Sequence, residues 1–495
     1  MFSHPMYSSF LLPKAFEILP ACVIAGMGMV FAGTYVDWVK SNYAEQFDPR
    51  LLAMIPPLIG LKGNLEVTLS SRLATMANIR TEINIQALSL FLSTMVYILI
   101  QGVSAAVVIS LICVTLYSCL GITEFTDHGF LHLTTVSILT CIIAICALSC
   151  LVFGLIICCV YLGIDPDNVA PPMAAALGDL ATVTVLLFAN QYYLHSPNFL
   201  IAVTFASMTI IFSAGPYYLK RDSVSSLCSD FHGMTITWLT FRSSVTPLLG
   251  AVFMSSLSGQ VLAHFAHQLP NLARLQIAIN GVGGCFGSIV VSRMITRIHA
   301  KQEKRTSPPP GRKLMEAEPS DVSVVEDIVD FSQSTGKMTP PLIPNTSRLS
   351  DAVLNQQVTS EVVADASHVS CFILAVCVPI HFVLALISLA LHRLATSDQS
   401  LSEDEFTFNT VIAYVLAAFI QVCIVLRFAR WIVLSSWRHL AYSGHRFSVL
   451  CARQTGELSS SSLASLDLTA IALTTGLGDL LGSILLTSTL YLLQG

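Results

Sequence analysis

The run from about residue 84 to 120, which contains "LSLFLSTMVYILIQGVSAAVVISLICVTLY", is longer than the roughly 20 apolar residues that a helix needs to cross a bilayer's hydrocarbon core. Within hydrocarbon every backbone N–H and C=O must find its partner inside the segment, so such a run folds as a helix. Ten further runs lie at about 15–37, 51–76, 132–162, 169–194, 197–219, 237–264, 272–297, 368–392, 407–432 and 467–492. Eleven spans predict an all-α polytopic membrane protein, in which the lipid bilayer is the first partner. Composition agrees: the 495 residues are 54% hydrophobic and 11% charged, with a mean hydropathy of +0.71. A net charge of -5 gives no basis for binding nucleic acid. Most of the 14 cysteines, Cys141, Cys146, Cys150, Cys158 and Cys159 among them, sit inside apolar runs and read as small hydrophobes. No cleavable signal peptide is expected.

The run 84–120 could also hold two short spans divided near Gly102, which would invert everything after it. Basic residues decide, because short cytoplasmic loops carry the Lys and Arg excess. With one span and a cytoplasmic N-terminus, Arg80, Lys220, Arg221 and the series Arg427, Arg430, Arg438, Arg446 and Arg453 fall inside. The C-terminus is then extracellular, for an integral, multi-pass protein whose expected place is the plasma membrane. Residues 299–366 differ in kind, being charged and rich in Pro and Ser, and read as a mostly disordered cytoplasmic linker. The sequon Asn345-Thr346-Ser347 lies there and would remain unmodified.

One apolar stretch, "MAAALGDLATVTVLLFA" at 173–189, carries Asp179 near its middle. A charged residue at that depth costs roughly 2.5–3.5 kcal/mol on insertion scales and usually marks an ion or substrate path. The element occurs twice: "LGDL" at 177–180 returns at 477–480 with Asp479, and Asp167 and Asp467 lie twelve residues upstream of Asp179 and Asp479 respectively. A second pair, "LIGLKGNLEVTLSSRLAT" at 58–75 and "INGVGGCFGSIVVSRMIT" at 279–296, aligns at an offset of 221 residues, matching Gly60 with Gly281, Gly63 with Gly284 and Arg72 with Arg293. The chain thus reads as a first repeat (1–195), a connecting helix and inner loop (196–236), and a second repeat begun at 237–298, interrupted by the linker (299–366) and completed at 367–495. Six spans separate equivalent points, so the copies cross the membrane in the same sense, as parallel five-helix repeats about a pseudo-twofold axis. Asp179 and Asp479 could then approach a shared central path, and no oligomer is required to build it. Two carboxylates converging in low dielectric favour a shared proton or a bound cation.

A purely structural alternative is a carboxylate hydrogen-bonded to a nearby hydroxyl such as Thr182 or Thr475. In "GLKGNLE" the glycines, Lys62, Asn64 and Glu66 give the pattern of a broken helix lining a cavity, although Lys62 and Glu66 could simply pair at i, i+4. Gly178 and Gly478, before each aspartate, suit close approach of a neighbouring backbone. Arg72 and Arg293 read as snorkelling anchors at inner helix ends. "GIDPDNVAPP" at 163–172 gathers Asp165, Asp167 and Asn168 at the inner mouth, as caps or as an acidic vestibule, with Pro171 and Pro172 placed to start the helix. His264 and His267, at i, i+3, lack the further ligands of a soft-metal site. Carboxylates and an amide favour hard cations such as Mg2+, Ca2+ or Na+ over Zn2+ or Cu2+; two sparse aspartates suit Mg2+, which keeps much of its water, better than a Ca2+ cage, and the ligand chemistry alone leaves the choice among them open. No catalytic residues stand out, and the chain is not expected to be an enzyme.

The motifs "PPLIGLKGNLEVTLSSRLATMANI", "DPDNVAPPMAAALGDL", "INGVGGCFGSIVVSRMIT" and "GLGDLLGSILL", in that order, resemble the eukaryotic solute carrier family 41, relatives of the bacterial MgtE magnesium channels and transporters. The resemblance implies Mg2+ as the transported substrate, with Na+ as a candidate coupling ion, and one tandem chain doing the work of the bacterial homodimer. By position it makes Asp179 and Asp479 the pore aspartates, Asp165 and Asp167 the acidic entrance, and Asn64 and Glu66 path residues, with Asp467 the second-half counterpart of Asp167. Two positions depart from the family pattern: Cys285 replaces an amide, and Ala472 replaces the proline that would match Pro172. No cytoplasmic regulatory domain is expected ahead of the first span. Two other readings stay open: a transporter or channel for another divalent cation, and a non-transporting scaffold acting through the linker.

Overall fold

The computed structural model describes residues 8–42, 49–79, 85–120, 126–162, 166–225, 238–269, 271–306, 346–395, 408–451 and 458–494. Among them are eleven helices and no strand: α1 (Ser8–Asn42), α2 (Pro49–Ile79), α3 (Ile85–Cys119), α4 (Asp127–Leu162), α5 (Pro166–His195), α6 (Pro197–Ser225), α7 (Trp238–Phe265), α8 (Leu272–Thr306), α9 (Thr346–Ala395), α10 (Phe408–Cys451) and α11 (Leu458–Gln494). The protein is all-α and polytopic. Seven helices (α3, α4, α7, α8, α9, α10 and α11) are long and apolar enough over their described residues to cross a membrane, against the eleven spans predicted. Of the others, α2 and α5 carry the polar motifs, and the apolar part of α6, Pro197–Ser213, is shorter.

Residues 85–119 form one unbroken helix, as the distribution of basic residues required. Gly102 is buried within it against Ile145 of α4, so the glycine marks a close helix contact and no chain reversal. The expected break at "GLKGNLE" is absent, since α2 runs through it from Pro49 to Ile79. Helix α5 starts at Pro166, ahead of the predicted start at Pro171 and Pro172; proline at a first helical position loses no hydrogen bond. Thr126 Oγ1 accepts from the Gly129 N–H at 3.2 Å and caps α4.

The chain forms two compact units, Met1–Ser292 with Val369–Gly495, and Arg293–His368. In the second, α8 continues to Thr306 and α9 begins at Thr346, so the predicted linker is helical at both ends; Arg297 Nη2 and Asp365 Oδ1 pair at 2.6 Å there. Residues 307–345, with Asn345 of the sequon, lie outside the described residues.

In the first unit α1 packs on α5 and α4 on α5, and the same pattern returns as α7 on α11 and α10 on α11. Helix α2 packs on α5 of its own half and on α7 of the other. One close contact is made twice. A Cβ on Gly259 of α7 would strike the Ala53 carbonyl of α2, and a Cβ on Gly33 of α1 would strike the Arg274 carbonyl of α8. Gly33 to Gly259 is 226 residues, and Ala53 to Arg274 is 221, the offset of the motif alignment. Leu111, Ile143, Phe188, Phe205, Ile210 and Ile412 remain exposed, an apolar surface that suits lipid.

Because backbone cannot retreat as a side-chain tip can, Gly259→Val should cost roughly 1–3 kcal/mol or more through overpacking. Gly154→Ala, whose Cβ would meet nothing within 4 Å, should not. Thermal unfolding of the detergent-solubilised protein checks this, and equal midpoints for the two variants would contradict the contact.

Candidate functional site

The polar residues of α2 between Gly60 and Glu66 separate onto different arcs of the helix. At about 100° per residue, Gly60 and Asn64 share one face, Lys62 and Glu66 lie on another roughly 200° away, and Leu61 and Leu65 fill the remaining wide arc. Leu61 and Leu65 are buried. The two polar faces meet different helices.

On one face Lys62 Nζ lies 3.3 Å from Glu66 Oε2 and 3.5 Å from Asp179 Oδ1 of α5. All three side chains are buried, Lys62 at 3% and Asp179 at 4% exposure. The ammonium occupies the space at Gly178, where a Cβ would collide with it and would lie 3.0 Å from Glu66 Oε2. The i, i+4 pair foreseen in the sequence is therefore made and extended to a third member 117 residues away.

On the other face stands α11. A Cβ on Gly60 would lie 3.0 Å from Asp479 Oδ2 and 3.1 Å from Ser255 Oγ. Ser255 of α7 donates to Asp479 Oδ2 at 2.5 Å, and Asp479 is 8% exposed. Thr475, one turn before Asp479, donates to Asn64 Oδ1 at 3.2 Å. Gln421 of α10 donates to the Gly478 carbonyl at 2.8 Å.

The geometry brings Asp179, Asp479, Asn64 and Glu66 around a single turn and a half of α2. Between the arcs facing the two aspartates points Gly63, and a Cβ there would meet nothing within 4 Å. The unfilled space beside α2 thus opens on its Gly63 edge, flanked by one aspartate-bearing helix on each side. Of the remaining glycines, Gly281 lies against Met29, whereas Gly284 and Gly478 lie together, 3.6 Å from a Cβ on Gly478 to the Gly284 nitrogen. Asp165 falls outside the described residues, as do the side chains of Asp167, Asp467 and Arg72.

The hydroxyls named as structural partners of the aspartates serve other atoms. Thr182 Oγ1 donates to the Gly178 carbonyl at 2.8 Å, the usual i−4 bond of a helical threonine, and Thr475 reaches Asn64. Partners come instead from neighbouring helices, and sequence reasoning did not find them. Ser255 could have been suspected from "MSSLSGQ", a polar cluster in an apolar span, and Gln421 from its lone amide in "AAFIQVCIVL". Among the described residues no group of three or more His, Cys, Asp or Glu is arranged to hold a metal, and His264 packs edge-on against Phe265.

A family model described as a divalent cation transporter, MgtE, matches residues 55–189, the stretch from α2 to α5. Solute carrier family 41 member 3 of Rattus norvegicus is 27% identical over 316 residues, 60% of this chain and 62% of its own length. Solute carrier family 41 member 2 of Homo sapiens is 31% identical over 300 residues, 58% of this chain and 48% of its own, and that of Gallus gallus 30% over 310 residues, 60% and 50%. The match thus spans about half to three fifths of these relatives' length. No solved structure matches the chain.

If the Gly63 edge borders open space, Gly63→Cys should react with a small cationic thiol reagent well above the wild-type background. Leu61→Cys, on the packed arc, should not. Equal labelling of the two would contradict the assignment.

Proposed function

We propose that this chain, a relative of solute carrier family 41 and of MgtE, is a magnesium transporter whose substrate passes over the Gly63 edge of α2 between Asp179 and Asp479. The observation that carries the reading is the meeting of both duplicated LGD helices on one segment of α2, with buried carboxylates on either side of unfilled space. Buried charge of this kind is expensive unless it serves a path or is compensated. Mg2+ dehydrates reluctantly and is usually held through one or two carboxylates and its own waters, which suits two aspartates and the Asn64 amide oxygen. Transport of this kind asks for no covalent chemistry, so the reading is of a carrier or channel and not of an enzyme.

Magnesium is the favoured member of the divalent class because the ligands are hard and few; Ca2+ takes six to eight oxygens. Competition by Co2+, Ni2+ or Ca2+ tests that choice. Exchange for Na+ is a further part of the proposal, resting on the resemblance alone. An imposed Na+ gradient that accelerates Mg2+ flux in proteoliposomes supports it, and indifference to the gradient assigns an uncoupled path. The plasma membrane as the site of action and a cytoplasmic N-terminus complete the reading.

Removing one carboxylate charge from a low-dielectric path should weaken substrate binding by roughly tenfold or more. Asp179→Asn and Asp479→Asn should each reduce Mg2+ flux into proteoliposomes at sub-saturating Mg2+, and the double variant should reduce it further. Wild-type flux in the double variant would show that the ion does not pass these residues.

A further inference from the structure

The two halves hold their aspartates by different means. At the offset of 221 residues that aligns Gly60 with Gly281, Lys62 corresponds to Gly283 and Glu66 to Gly287. At the 226 residues that relate Gly33 to Gly259, Met29 corresponds to Ser255. Asp479 therefore takes its donor from Ser255, a position where the first half carries a thioether, and Asp179 takes its donor from Lys62, where the second half carries no side chain. The space at Gly283 is filled by the Gln421 amide, whose Nε2 lies 2.5 Å from the position of a Cβ and bonds the Gly478 carbonyl. A neutral amide thus stands against Gly478 where an ammonium stands against Gly178.

We propose that the Lys62 ammonium is a tethered occupant of the Asp179 half of the path, compensating Asp179 and Glu66 when no divalent ion is bound there and displaced when the ion engages Asp179. The inference rests on the transport reading above and adds to it the residue that sets affinity. Its contacts of 3.3 and 3.5 Å are longer than the 2.7–2.9 Å typical of tight charge-assisted hydrogen bonds, so the ammonium is shared between two carboxylates and locked to neither. A flexible four-carbon stem lets it withdraw without backbone movement. A dication and an ammonium cannot share Asp179 at close range in low dielectric, since their repulsion equals in kind the attraction each feels for the carboxylate. A merely structural pair would need only Glu66, one turn away, yet Nζ also reaches across to α5. Three carboxylates and one ammonium leave two formal negative charges, the complement of a single divalent ion.

The test uses the full chain, with Mg2+ alone as ligand, and two readouts: saturation of flux in proteoliposomes and the Mg2+ dependence of thermal stabilisation in detergent. Lys62→Met should lower the half-saturating Mg2+ concentration by about tenfold, and should slow the maximal rate because an ion held harder leaves later. Gly178→Ala, whose Cβ takes the ammonium's place, should shift both readouts in the same direction without removing the charge, and it stands in if Lys62→Met does not fold. Half-saturation unchanged or raised in both variants, while Asp479→Asn still weakens Mg2+ binding, overturns the role of Lys62 and leaves the path intact. If Asp479→Asn also leaves Mg2+ binding unchanged, the path assignment falls, and this inference with it.

Discussion

Charge buried between apolar helices must be compensated locally, because neither lipid nor leucine can do it. In this chain the demand falls heavily on one turn and a half of α2, where Lys62 stands between Glu66 and Asp179 while Asp479 meets Ser255 across the helix. Much else in the fold serves that juxtaposition. Helix α2 touches both LGD helices, packing on α5 of its own half and on α7 and α11 of the other. Gly178 leaves the room that the Lys62 ammonium fills. At Gly60 a Cβ would stand tightly against the Asp479 carboxylate, 3.0 Å from Oδ2.

Small residues set how closely the helices approach. The Gly259–Ala53 and Gly33–Arg274 approaches put α7 on α2 and α1 on α8 at backbone distance, and they are related by the same spacings that relate the sequence motifs. In hydrocarbon, such contacts replace the hydrophobic drive of a soluble core with close packing. Around this frame the chemistry has diverged: charge and hydroxyl have exchanged sides between the halves, with Lys62 opposite Gly283 and Ser255 opposite Met29. Like scaffolds therefore present unlike carboxylates.

The helices were legible in the sequence because span length is fixed by bilayer thickness, though α9 starts well before and α10 ends well after the predicted spans, and the two aspartates were legible because a charge in an apolar run stands out. The repeat raised the expectation that the two aspartates approach one another; that α2 is the helix both of them meet was not foreseen. What the sequence concealed were partners that depend on helix rotation and cross-chain packing. Ser255 and Gln421 are ordinary polar residues in one dimension, and only the packing of α7 and α10 on α11 aims them at the LGD turn. The broken helix was misread because glycines that admit close neighbours look the same in sequence as glycines that weaken a helix; the Lys62–Glu66 pair lets α2 continue. Gly63 shows the reverse, a glycine beside open space whose meaning comes only from its angular place between the two aspartates.

The proposed path puts a divalent ion over Gly63 between the two carboxylates. Anomalous diffraction from crystals of the full chain grown with Mn2+, a scattering substitute for Mg2+, locates such an ion directly. A peak is expected beside the Gly63 edge of α2, flanked by the carboxylates of Asp179 and Asp479. Manganese bound elsewhere at saturating concentration, with none at that position, would contradict it.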